Sequence, residues 1–139
     1  MKKVLFLLLA IIAVAGLGSC VKEDAPSGVG YPPLSGTWKL VKKNVPNDSS
    51  FTTKTIDTTI PQTLTFESDG RLSSMGEETS YYRSSRAYRV DSIRRVQQIG
   101  FLQGSVYVAF YQNFSLKNDS LTLIPCPSRE CDLIFTKSR

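Results

Sequence analysis

An all-β domain is the fold this sequence predicts, and three observations carry that expectation. Apolar residues alternate with polar ones in short runs, the period of a strand with one buried face. Turn signals recur roughly every ten residues, the spacing of an antiparallel sandwich or barrel. No helical apolar stripe is sustained over ten residues; Ile93 to Phe101 alone would support a short one.

Taken in order, Trp38 and Leu40 alternate with Thr37 and Lys39 in a first strand. Leu64 and Phe66 repeat the pattern. Asp69-Gly70 then reads as a tight hairpin turn, because both residues tolerate the left-handed backbone, and Leu72 opens the return strand. Tyr82, Tyr88 and Val90 share one parity. Val106 to Tyr111 is rich in β-branched and aromatic residues, suited to a strand with both faces at least partly covered. Asn118-Asp119 separates it from Leu121 to Ile124, and Leu133-Ile134-Phe135 closes the domain. The count suggests an antiparallel up-and-down barrel of about eight strands.

The residues before this domain speak of an address. Lys2 and Lys3 precede an unbroken apolar run from Val4 to Leu17, which is too short for the roughly 20 residues of a membrane-spanning helix. A basic start, a short apolar core and small residues at the end form a secretory signal peptide. Leu17-Gly18-Ser19-Cys20 resembles the lipobox of bacterial lipoproteins. That resemblance implies cleavage before Cys20, acylation of Cys20, and an anchored position in the cell envelope, at the outer membrane, since Val21 is not the acidic residue associated with inner-membrane retention. Residues 1–19 are thus expected to be a signal peptide and residues 20–33 the lipidated cysteine with a flexible linker rich in Pro, Gly and Ser. Lys22-Glu23-Asp24 resembles an export signal of surface lipoproteins in the Bacteroidota, and reads equally as a solvated run of charge. The triplets at Asp57, Asp91 and Asp119 resemble O-glycosylation sites of the same bacteria, a pattern common by chance.

Composition excludes several classes. The 120 residues from Cys20 onward fit one domain, residues 34–139. Of 17 Lys and Arg, losing Lys2 and Lys3 leaves 15 against 12 Asp and Glu, a net charge of +3. That is too mild for a nucleic-acid binder. The chain has no histidine, the commonest general base and metal ligand near neutral pH. No cofactor and no metal site is expected.

Leu34 to Leu40 contains Gly36-Thr37-Trp38, which resembles the Gly-x-Trp opening of lipocalins and the wider calycin group. Thr63 to Gly70, Leu116 to Leu123, and the closing Phe135, Lys137 and Arg139 resemble, in order and spacing, small lipocalin-like domains of bacterial lipoproteins. The resemblance implies that Trp38 packs across one end of the barrel with Lys137 or Arg139 over its indole. A ligand mouth would then open at the opposite end, lined by Phe66, Tyr88 and Phe110, with Arg86 facing an anionic headgroup. The domain is short for a full lipocalin cup, so its own side chains could equally fill it.

Other residues carry weaker chemistry. Cys126 and Cys131 flank a four-residue loop between two expected strands, close enough for a disulfide. A redox pair would want Cys-x-x-Cys at a helix start, and a metal site two more ligands. Five arginines fall between Arg83 and Arg95. A regular strand would bury Arg86, whereas a break at Ser84-Ser85 turns it outward. Glu67, Asp69, Glu77 and Glu78 gather around a hairpin. Three functions stay open: non-enzymatic binding of a small apolar or amphipathic ligand in the barrel; a filled barrel whose loops dock an envelope protein; and a carboxylate-based hydrolase.

Overall fold

The computed structural model describes residues 30–47, 50–57, 59–104, 107–124 and 131–139. The signal peptide, Cys20, most of the linker and Cys126 lie outside them. Among the described residues no helix is long and apolar enough to cross a membrane.

The domain is all-β, an antiparallel, nearly closed barrel of eight strands. Nine segments build it: β1 (Gly36–Asn47), β2 (Ser50–Thr55), β3 (Thr63–Phe66), β4 (Leu72–Met75), β5 (Ala87–Ile93), β6 (Val96–Gln103), β7 (Tyr107–Lys117), β8 (Ser120–Ile124) and β9 (Asp132–Lys137). Neighbours run β4-β3-β1-β9-β8-β7-β6-β5, with β2 also on β1. β2 and β3 occupy the same edge of β1, β2 against Lys42 to Asn47 and β3 against Gly36 to Lys39. They are two halves of one strand, interrupted between Ile56 and Gln62, whose backbones bond Val41 and Leu40 respectively. The circuit is therefore up-and-down, and the long β1 closes it by pairing with β9. The seam between β4 and β5 is the weakest, held by the bridge Arg71 to Ala87 and by bonds from Leu72 N to Arg86 O and Tyr88 N to Gly70 O.

Alternation places the core. Trp38, Leu40, Leu64, Phe66, Leu121, Leu123, Leu133 and Phe135 all point inward and are buried, as their two-residue period requires. A bulge at Val41 shifts the register between Leu40 and Lys42, so the inward parity switches and Lys43 and Val45 face the barrel beyond it. The Glu67 to Arg71 turn forms where Asp69-Gly70 predicts it, with Gly70 left-handed and Gly70 N donating to Glu67 O.

Two local readings are corrected. Ile93 to Phe101 is no helix but the β5–β6 hairpin, whose two loop residues, Arg94 and Arg95, are left-handed at φ 52° and 67°. Positive φ at both central residues is the geometry of the turn whose twist matches a hairpin. Tyr82 is not on a strand: Ser80–Ser84 form a 3₁₀ turn, and β5 starts at Ala87. The break at Ser85 leaves Arg86 exposed, so no cation enters the barrel there.

Candidate functional site

The two ends of the barrel differ, and the predicted site residues divide between them. At the first end the chain enters through Tyr31 and the 3₁₀ turn Pro32–Leu34. Leu34 is fully buried, and its carbonyl accepts the Trp38 indole N–H at 2.7 Å. Lys137 Nζ lies 5.2 Å from the Trp38 ring centroid. Gly36 has φ 123°, and a β-carbon there would come within 3.0 Å of Lys137 Cε. A bare glycine therefore lets the lysine stem lie across the indole. Arg139, almost fully exposed, instead reaches Asp119 at 3.8 Å.

Phe66 pairs with Gly36 and so lies nearer this end than Trp38 does. Its ring meets Tyr88 edge-on at 4.9 Å. The Tyr88 hydroxyl donates to Glu67 O and accepts Tyr31 N–H, and burial pushes its phenol above the ordinary value. Tyr31 also meets Phe114 edge-on at 6.2 Å. A β-carbon on Gly30 would strike Ser68 O, so the entering chain runs hard against the β3–β4 turn. This end is shut.

Phe110 belongs to a second aromatic group. It stacks on Phe101 at 4.7 Å and packs with Tyr81 and Tyr82. The Tyr82 hydroxyl donates to Gln112 Oε1 at 2.9 Å inside the core. Desolvation holds that phenol far above its usual range. The expectation of one mouth lined by Phe66, Tyr88, Phe110 and Arg86 is thus corrected. The first two are core beneath Tyr31, Phe110 is half-buried under a 3₁₀ turn, and Arg86 is on the outside. Tyr82, Phe101, Phe66, Tyr88 and Phe135 have 0% exposure, so no water-sized void touches them.

The second end is open. A cleft of about 470 Å³ lies between the end of β2 and the segment after β4, lined by Lys43, Lys54, Ile56, Ile60, Glu77 and Glu78 among others. β4 stops because Gly76, at φ 101°, turns the chain away from the sheet. The Gln62 side chain then accepts Glu78 N–H at 2.9 Å, and Thr79 Oγ1 donates to Met75 O at 2.7 Å. Lys43 reaches across to Glu78 at 2.6 Å. Asp57, fully exposed, accepts Thr59 N–H, and that bond holds its carboxyl below the usual value.

Several other charges are paired locally. Glu67 and Asp69 both hold Arg71, at 2.6 and 2.7 Å, at the shut end. Glu77 holds Arg83 at the open end. Arg89 meets Asp91 at 2.6 Å and Tyr111 Oη at 2.9 Å, which together raise its pKa. The four acids grouped in the sequence are therefore divided between opposite ends, Glu67 and Asp69 on Arg71 at one and Glu77 and Glu78 beside the cleft at the other. No group of three metal-ligating side chains occurs among the described residues. Cys131 is buried and disulfide-bonded. The expected partner, Cys126, lies outside the described residues.

Compared with protein-family models, curated proteins and solved structures, the chain matches none.

Proposed function

We propose that this protein is a non-enzymatic lipoprotein of the cell envelope, anchored at the outer membrane through Cys20, whose barrel acts through its surface as a protein-interaction module. The observation that carries this reading is the packed interior. Phe66 and Tyr88, which would line a ligand cup, are fully buried core, and Phe110 packs half-buried against Phe101 and Tyr82. The described barrel is compatible with a lipocalin-like binding module. Here the binding surface is the open end rather than a cup.

The anchor rests on the lipobox resemblance, and the barrel is disposed to suit it. The chain enters at Gly30 and Tyr31, so a lipid at Cys20 would tether the shut end and leave the cleft facing away. Without histidine, serine and threonine hydroxyls lack the usual base, which supports a binding role.

Two measurements test the reading. Protein purified in mild detergent and extracted into organic solvent should yield no lipid beyond the covalent anchor. A stoichiometric free fatty acid or phospholipid would overturn the filled-barrel reading. Replacing Cys20 with Ala should move the protein out of the membrane fraction, and unchanged fractionation would refute the anchor.

A further inference from the structure

We infer that the open end accepts an extended polypeptide as an added strand on the free edge of β2. This deepens the interaction-module reading and rests on it. The argument begins with topology. β3 is flanked by β1 on one side and β4 on the other. β2 continues the line of β3 along β1, yet β1 is its sole strand partner among the described residues. Were β4 to run on past Met75, it would lie beside β2. Gly76 diverts it, and the cleft follows at that position, between Lys54 to Asp57 on one side and Glu77-Glu78 on the other. The sheet is one strand short there.

An unpaired edge presents a row of backbone donors and acceptors that pair readily with another chain. Proteins usually guard such edges with proline, bulges or several charges. β2 reads Ser50-Phe51-Thr52-Thr53-Lys54-Thr55, all exposed, with no proline and a single charge. Three threonines and a phenylalanine favour extended backbone. Phe51, at 68% exposure, and Ile60, at 67%, stand open as apolar anchors. Strand addition of this kind takes affinity from main-chain bonds and specificity from alternate side chains.

The occupant is an extended peptide alternating apolar and polar residues with one carboxylate. Lys54 and Asp57 line the cleft without ion-pair partners among the described residues, whereas Lys43 and Glu78 are paired with each other and Glu77 with Arg83. A peptide acid meets Lys54, and the flanking apolar side chains meet Ile56 and Ile60. A second copy of β2 would bring a lysine of its own and no acid. The chain's own N-terminal stretch enters at the opposite, shut end.

The test uses the mature chain, which contains every described element, and a synthetic octapeptide alternating Val and Thr with one central Glu. Titration followed by amide NMR should shift Phe51 to Ile56 in the micromolar range, with the Phe101 and Phe110 amides unmoved. N-methylating alternate residues of the peptide should weaken binding at least about tenfold, because it deletes the ladder donors. Lys54→Glu should weaken the Glu peptide and strengthen its Lys counterpart. The inference is overturned if the N-methylated peptide binds equally well, if the shifts map elsewhere, if no binding occurs at millimolar peptide, or if β2 instead pairs with itself as protein concentration rises. None of these outcomes touches the anchor, which membrane fractionation reads independently.

Discussion

The shut end and the open end are built on the same strand and reach opposite results. Both halves of β1 present one edge to a partner, β3 near Gly36 and β2 near Asn47. Around β3 every further layer is present: β4 beside it, Trp38 beneath it, and Tyr31 and Leu34 across the mouth. Around β2 the neighbour strand is missing and all six residues are exposed. The difference is one of supply. Apolar residues at alternate positions draw cover over the first half, and the threonine-rich second half offers nothing to bury. Stability belongs to the first end and availability to the second.

Substitutions should separate the two ends, the largest effect coming from the shut one. Trp38→Ala removes a side chain with 1% exposure and its bond to Leu34 O, and should cost about 3–5 kcal/mol in denaturant unfolding. A loss under 1 kcal/mol would mean the indole is not packed as described. Gly36→Ala forces an L-residue into positive φ and pushes on Lys137, for a cost of about 1–3 kcal/mol.

Tyr82 gives a pH signature. Its phenol is neutral and buried in the fold, with its pKa raised, while the unfolded chain ionises near pH 10. Above that pH the unfolded state therefore binds fewer protons than the native one, and stability falls as pH rises further. Below it the contribution is fully present. Unfolding curves at pH 8 and 11 should show this loss, and Tyr82→Phe should lessen it. At neutral pH the same substitution should cost about 1 kcal/mol, for the bond to Gln112. An identical alkaline slope in the variant would place the titration elsewhere.

Smaller effects complete the contrast. Lys137→Ala should cost about 0.5–2 kcal/mol through the lost cation over the indole, whereas Arg139→Ala should be near neutral. At the open end Phe51→Thr should change stability by less than about 0.5 kcal/mol despite removing a large apolar side chain. Were Phe51→Thr as costly as Gly36→Ala, β2 would be packed and the contrast between the ends would fail.

The legible parts of the fold are those where burial and period coincide. Trp38, Leu40, Leu64, Phe66, Leu121, Leu123, Leu133 and Phe135 alternate in sequence and point inward in space, and the Asp69-Gly70 turn sits between its strands. β2 gave no such signal, because a strand with nothing buried has no hydrophobic period. The bulge at Val41 reverses parity without any Gly or Pro to announce it. Arg94 and Arg95 turn a hairpin that Asn-Gly would normally mark. Tyr82 keeps strand parity yet reaches the core from a 3₁₀ turn. Parity tells which face a residue takes and is silent on its depth along the barrel. Phe66 and Phe110 both face inward, yet Phe66 meets Tyr88 whereas Phe110 packs with Phe101, Tyr81 and Tyr82. Since the open end consists of the features without period, the site was the least legible part of the chain.

Native-state amide hydrogen exchange on the dilute mature chain tests the central contrast most directly, since it compares β2 and β3 on the same edge of the same strand. The account predicts that Thr63 to Phe66 exchange only with global unfolding, while Ser50 to Thr55 exchange through local opening at least about a hundredfold faster. Equal protection of the two segments in the dilute, unliganded chain would contradict it, because β2 would then already have the cover that the open end is argued to lack.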